Sequence, residues 1–216
     1  MEKAQALKAI QQAKTESKQR KFKQTIDLII NLKGLDLKKT ESQIDSFVQL
    51  HYPTGKKVKV CALIGAELKA AAEATVDKTI MSDDFEEYAS NKKQAKKLSN
   101  GYQYFIGQAN IMPKIAATFG RVLGPRGKMP NPKAGCIVPP NANLKPLYEK
   151  LQKTIRLQAR TCPVIQAAVG QEGMPEDEVV DNILTIYNSI VNLLPNGEYN
   201  IKSVFVKLTM GKPAKI

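Results

Sequence analysis

The chain has 216 residues, 43% of them hydrophobic, a content that sustains a buried core and excludes a disordered tail. Its 33 lysines and arginines outnumber 20 acids, a net charge of +13 that draws polyanions, nucleic acid first and acidic membrane second. No run approaches the ~20 apolar residues of a membrane span, and the opening MEKAQALKAI lacks a signal-peptide apolar region, so the expected location is the cytosol, with no membrane partner.

Residues 1 to about 19 carry Met1, Ala4, Leu7, Ile10 and Ala13 at spacings of three, which predicts a surface helix with one apolar stripe. From Phe22 to Lys33 the period becomes two, with Ile26, Leu28, Ile30 and Leu32 on one face and Thr25, Asp27 and Asn31 on the other. A turn at Gly34 and Asp36 leads to Ile44, Ser46, Val48 and Leu50, a second strand expected to pair antiparallel with the first. After Pro53 the texture changes. VKVCALI over 58–64 and the helical GAELKAAAEA read as a strand and helix of an α/β unit. A strand at Thr79–Met81, a helix capped by Ser82, a strand over 102–106 and helices over 110–120 and 144–152 continue the alternation. Strands over 155–160 and 163–169 follow, then a long helix from Pro175 with Val179, Val180, Ile183, Tyr187 and Ile190 on its apolar face. A last strand over 201–208 ends in Thr209, Met210, Gly211 and a basic tail. The outer parts form one discontinuous α+β domain, 1–55 with 152–216, and 56–151 form an inserted α/β domain. Chain crossings near 54–56 and 152–154 suggest a hinge.

Cys61, Cys136 and Cys162 are far apart and contain no CxxC pair, so neither a disulfide framework nor a zinc site is indicated, and reduced, mostly buried thiols are expected. His51 has no motif partner and reads as a loop or surface residue. The stretch LGPRGKMPNPKAG over 123–135 combines three glycines and three prolines with Arg126, Lys128 and Lys133 and no acid. It cannot continue a helix or enter a central strand, so it is a basic loop suited to an anion. It is not a nucleotide P-loop. Val122 stands where GxxxxGK needs its first glycine, and Met129 follows Lys128 where Ser or Thr is required. Lys92–Lys97, KKQAKK, reads most simply as a solvated helix face.

Four blocks then point in one direction: the entry at Gln19–Phe22 followed by TIDLIINLKGLDLKK, the central LGPRGKMPNPKAG, the segment AAVGQEGMPEDEVVDNI, and the closing SVFVKLTMGKPAKI. In these the chain resembles the ribosomal protein L1 family in its archaeal and eukaryotic form, over essentially its whole length. The resemblance implies the two-domain L1 fold, with a discontinuous α+β domain I and an inserted Rossmann-like, three-layer α/β domain II. It also implies a non-enzymatic protein without cofactor or metal, monomeric when free, that binds large-subunit ribosomal RNA and builds the mobile stalk beside the E-site tRNA. Repression of its own mRNA is a further implied role.

By the same resemblance the RNA grip falls on domain I, at Phe22, Thr25 and Asp27 on one side and Ser203, Thr209, Met210 and Gly211 on the other. The chemistry fits: A-form RNA offers ribose hydroxyls and phosphates in a wide, shallow minor groove. Thr25 and Thr209 can exchange hydrogen bonds with a 2′-hydroxyl, and Asp27 can accept from one or from a base amine. Met210 offers an apolar surface, Phe22 can brace it or pack against the loop, and Gly211 permits close backbone approach. Lys21, Lys33 and Lys212 add salt-sensitive phosphate attraction. Arg126, Lys128 and Lys133 form an auxiliary basic surface toward tRNA, stalk RNA or the facing domain. Bacterial members commonly carry Glu where Asp27 stands, which changes the carboxylate's reach, and QLHYPTGK at the first crossing departs from the family's usual pattern. Two other readings compete: a stand-alone RNA-binding translational regulator using the same surface, and a nucleotide-binding α/β enzyme.

Overall fold

The computed structural model describes residues 2–39 and 42–216. In chain order the elements are α1 (Lys3–Thr15), β1 (Thr25–Leu32), β2 (Ile44–Gln49), β3 (Val60–Ile64), α2 (Lys69–Glu73), β4 (Lys78–Met81), α3 (Phe85–Ser90), α4 (Lys92–Gly101), β5 (Tyr104–Gln108) and α5 (Met112–Leu123). They continue with β6 (Ile137–Val138), α6 (Leu144–Gln152), β7 (Thr154–Ala159), β8 (Val164–Gln171), α7 (Glu176–Leu193), β9 (Ile201–Leu208) and β10 (Ala214–Lys215). The chain divides into two compact units, the residues up to Lys56 together with Lys153–Ile216, and Lys57–Gln152.

The first unit is α+β. Its four-stranded antiparallel sheet has the order β10-β9-β1-β8, and β2 and β7 form a separate antiparallel pair. The alternation in β1 is realised in full: Ile26, Leu28, Ile30 and Leu32 are buried, while Thr25, Asp27, Ile29 and Asn31 lie on the opposite face. The buried face joins Ala6 and Ile10 of α1 and Val179, Val180, Ile183, Ile186 and Ile190 of α7 in one core. Lys14 of α1 donates to Glu176 at the start of α7 at 2.8 Å, and Gln11 donates to the same carboxylate. Buried Asn182 is satisfied by donating to the carbonyls of Val169 and Tyr52 and accepting from the Tyr52 amide.

The second unit is α/β, with a parallel sheet of order β4-β3-β5-β6. Every residue of β3 is buried, as its continuous apolar run predicts for a central parallel strand. Phe85 and Phe119 meet edge to face at 5.4 Å in a core with Leu63, Phe105 and Ile115.

Several expectations are corrected. β2 pairs with β7, not with β1, whose two edges are taken by β8 and β9. Phe22 precedes β1 rather than opening it. The stripe on α1 is Ala6, Ala9, Ile10 and Ala13, with Ala4 exposed, because a strict spacing of three drifts off a face that recurs every 3.6 residues; Met1 lies outside the described residues. Ser82 does not cap a helix; its hydroxyl donates to Asp83, and Asn91 is the side chain that caps α4, accepting from the Gln94 amide. Part of the basic tail forms β10. Cys61 and Cys136 are buried, and burial pushes their thiols up to about 12 and about 11, whereas Cys162 is exposed. His51 is exposed, as expected of a surface residue, with its Nδ1 2.6 Å from Asp181 Oδ2.

Candidate nucleic-acid interface

The turn that follows β9 is clasped to the start of β1. Thr209 donates its amide to the Thr25 carbonyl at 3.0 Å, while its hydroxyl accepts from the Thr25 amide at 3.1 Å and donates to the Thr25 carbonyl at 3.2 Å. Residues 184 positions apart are thereby held in one place. The Met210 amide donates to the side-chain carbonyl of Gln24 at 3.1 Å, and the Gly211 amide closes the turn on Leu208. A Cβ at Gly211 would stand 3.2 Å from Leu208 and 3.4 Å from Ser17, so the glycine serves a close approach rather than an unusual φ.

Gln24 is the residue of this candidate surface that sequence reasoning missed. Fully buried, it donates to the Ser17 hydroxyl at 3.1 Å, and its backbone carbonyl accepts from the Glu172 amide at 2.9 Å. It ties the end of α1, the end of β8 and the Thr209–Gly211 turn together. Around this anchor two large apolar side chains point to solvent: Phe22 is 53% exposed and Met210 61%. Tyr52, Leu193 and Tyr199 are also exposed on this unit; what sets Phe22 and Met210 apart is that both flank the Gln24 anchor, where aromatic and thioether groups of that size call for a partner. Lys21 and Lys212 are exposed beside them in sequence, as is Lys33 at the far end of β1.

The solvent face of the sheet continues the surface. Across β1 and β9 the pairs are Asp27 with Lys207, Ile29 with Phe205, and Asn31 with Ser203. Asn31 donates to the Ser203 hydroxyl at 3.0 Å, which leaves that hydroxyl its own proton to donate. Asp27, Lys207, Ile29 and Gln166 line a shallow depression of about 250 Å³. Burial pushes the Asp27 carboxyl above its usual value, and the Lys207 ammonium opposes that shift. A sheet face offering a carboxylate, a hydroxyl, amides and a lysine presents the donors and acceptors that ribose hydroxyls and phosphates need.

The basic loop belongs to the other unit, and its cations are placed unequally. Lys128 is turned inward, donating to the carbonyls of Ser99 at 2.6 Å and Tyr102 at 2.7 Å at the end of α4. Arg126 reaches the Val122 carbonyl at 3.1 Å, and Lys133 is exposed. Gly127 and Gly135 take φ of 64° and 73°, the left-handed values that glycine permits. Pro130 packs within 3.2 Å of the Cβ position of Gly107 in β5, so the loop is seated on the sheet. At the carboxyl ends of β3 and β5, where open α/β sheets usually hold a ligand, the buried Gln108 side chain fills the crevice. It accepts from the Gly65 amide at 2.7 Å and donates to Glu67 at 3.0 Å.

A profile of the ribosomal protein L1p/L10e family matches residues 12–212. The large ribosomal subunit protein uL1 of Methanothermococcus thermolithotrophicus is 43% identical over 216 residues, covering 100% of this chain and 99% of the relative. The uL1 proteins of Methanococcus voltae and Pyrococcus abyssi are 41% and 42% identical, over 100% and 97% of this chain and 99% and 94% of their own lengths. With the fold and four sequence blocks in agreement, the chain belongs to the ribosomal protein L1p/L10e family.

Proposed function

We propose that this protein is a large-subunit ribosomal protein that binds ribosomal RNA directly through the first unit, by the Thr209–Gly211 turn, Phe22, and the outer sheet face with Asp27 and Ser203. The observation that carries the reading is the clasp of Thr209 on Thr25, which sets two exposed apolar side chains beside a polar, lysine-edged sheet face. Backbone phosphates are drawn by Lys21, Lys207 and Lys212, while Thr25, Asp27 and Ser203 read ribose hydroxyls, the groups that separate RNA from DNA. In this reading the protein forms the stalk beside the E site, helps release deacylated tRNA, and represses its own mRNA with the same face. It works in the cytoplasm as part of the ribosome, as a binding protein rather than an enzyme. Arg126 and Lys133 are the loop cations placed to add an auxiliary contact to tRNA or stalk RNA.

Titration of the full chain with its ribosomal RNA fragment across a salt series is the direct test. Specific, salt-dependent binding is expected, lost when the fragment is made as DNA. Binding indifferent to sequence and sugar would leave only charge attraction. Co-sedimentation with large subunits separates the ribosomal reading from a regulator acting alone.

A further inference from the structure

In the Lys57–Gln152 unit a cavity of about 530 Å³ opens at the amino ends of β4 and β5, walled by α3 and α4. It lies at the opposite end of the sheet from the crevice that Gln108 fills. Its lining includes Lys78, Glu87, Tyr88, Gln94, Lys97 and Tyr102. The two tyrosines are set on the core: Tyr88 is tilted against Phe119 at 5.6 Å and Tyr102 is edge-on to Phe105 at 6.4 Å. Lys78 Nζ lies 3.4 Å from the Tyr88 hydroxyl and 6.0 Å from its ring centroid. Among the described residues, Lys78 and Lys97 have no ion-pair partner, and Glu87 is the one carboxylate in the lining.

We propose that this cavity binds a nucleoside monophosphate unit, with the base against the tyrosines and the phosphate on Lys78 and Lys97. Its volume falls in the ~300–1,000 Å³ range of small-molecule sites. Aromatic walls accept any base face, lysines supply charge for the phosphate, and the Gln94 amide and Glu87 carboxylate can meet the polar groups of a base or ribose. The carbonyl end of α4 would ordinarily repel an anion here. Lys128 removes that obstacle by donating to the carbonyls of Ser99 and Tyr102, which gives the loop LGPRGKMPNPKAG a part in shaping the site.

The test is NMR titration of the isotope-labelled full chain with AMP, adenosine, inorganic phosphate and 5′-phosphorylated tri-adenylate. AMP is expected to shift the amides of Lys78, Tyr88 and Tyr102, binding about tenfold tighter than adenosine or phosphate because it engages both halves of the site. Joint replacement Lys78→Ala and Lys97→Ala is expected to weaken AMP about tenfold, and Met210→Asp to leave it unchanged. Tighter binding of the trinucleotide assigns the site to a strand's 5′ end, and equal binding to the free nucleotide; both uphold it. No shifts at about 10 mM AMP, far weaker than a functional site, would overturn the proposal. So would shifts outside the cavity, phosphate binding as tightly as AMP, or AMP affinity unchanged by the double replacement. Lys97 is exposed on α4, so Lys97→Ala alone keeps the charge test available if Lys78→Ala disturbs the fold.

Discussion

The hydroxyl of Thr209 both accepts from the Thr25 amide and donates to the Thr25 carbonyl, so a single side chain fastens the turn after the last long strand to the first residue of β1. Thr209→Val keeps the shape and the backbone bond between the two residues, and removes only the hydroxyl's contribution. Stability is expected to fall by about 0.5–1.5 kcal/mol. RNA affinity is expected to fall about tenfold, because the turn carrying Met210 loosens. Urea unfolding and RNA titration on the same preparation check both, and an unchanged affinity would detach the clasp from binding.

Met210→Asp places a charge that phosphate repels at the most exposed large apolar side chain of the turn, whereas Lys96→Ala removes one cation from a solvated helix face. Met210→Asp is expected to weaken specific RNA binding by about a hundredfold, and Lys96→Ala by less than about twofold. Salt should screen the part of the loss that comes from the added charge, and the part that comes from the lost apolar contact should persist at high salt. Equal losses would mean that the protein binds RNA by net charge alone.

Gln24 shows why this surface was only partly legible in the sequence. Strand β1 could be read from alternation because its period is local: Ile26, Leu28, Ile30 and Leu32 announce a buried face whatever they pack against. Gln24 is polar, sits outside that pattern, and is buried because Ser17 and Met210 hydrogen-bond to its side chain. Partners scattered along the chain leave no periodic trace. The same reason explains the wrong partner for β2: antiparallel pairing with β7 is a long-range choice that alternation does not encode. At α4 and its neighbours, both Ser82 and Asn91 satisfy the composition of a cap, and only the backbone path selects Asn91. Phe22, Thr209, Met210 and Gly211 stand out only through family resemblance; their residue types alone suit an ordinary strand end.

Gln24→Ala is therefore expected to cost about 1–3 kcal/mol, because it leaves the Met210 amide without its acceptor and opens a space under the turn. The RNA off-rate is expected to rise in step, under conditions where the variant is still folded. Glu in place of Gln24 keeps the acceptor but loses the donor to Ser17, and should fall between wild type and Ala. Chemical denaturation together with RNA dissociation kinetics gives the ordering.

Asp45 supplies a pH signature of the β2–β7 pair. Its carboxylate receives both Nε and Nη2 of Arg156 at 2.7 and 2.8 Å and Nη2 of Arg160 at 2.5 Å. The Arg156 hydrogen bonds lead in holding its pKa below the ordinary carboxylate value, with Arg160 adding to them against the cost of burial. A carboxylate depressed on folding adds stability that is complete above its unfolded pKa and is lost as pH falls through the folded one. Asp45→Asn should flatten the part of the stability curve below the ordinary value of 3.8, with little effect on RNA binding at neutral pH. Urea midpoints measured from pH 2 to pH 7 would show an unchanged acid limb if the pair contributes nothing.

Lys128 and Lys133 sit five positions apart in one basic loop, yet they should behave as different kinds of residue. Lys128→Met keeps the apolar stem and removes the ammonium from two carbonyls at the end of α4, an expected loss of about 1–3 kcal/mol. Lys133→Met removes an exposed charge and should cost less than about 0.5 kcal/mol. If the loop also meets RNA, the ranking reverses in a binding assay at low salt, where Lys133→Met reduces affinity and Lys128→Met leaves it nearly unchanged. That reversal follows from geometry: an ammonium already donating to two carbonyls has less left to offer a phosphate. Equal stability losses would instead mean that the inward position of Lys128 carries no folding energy and that the loop's cations are interchangeable.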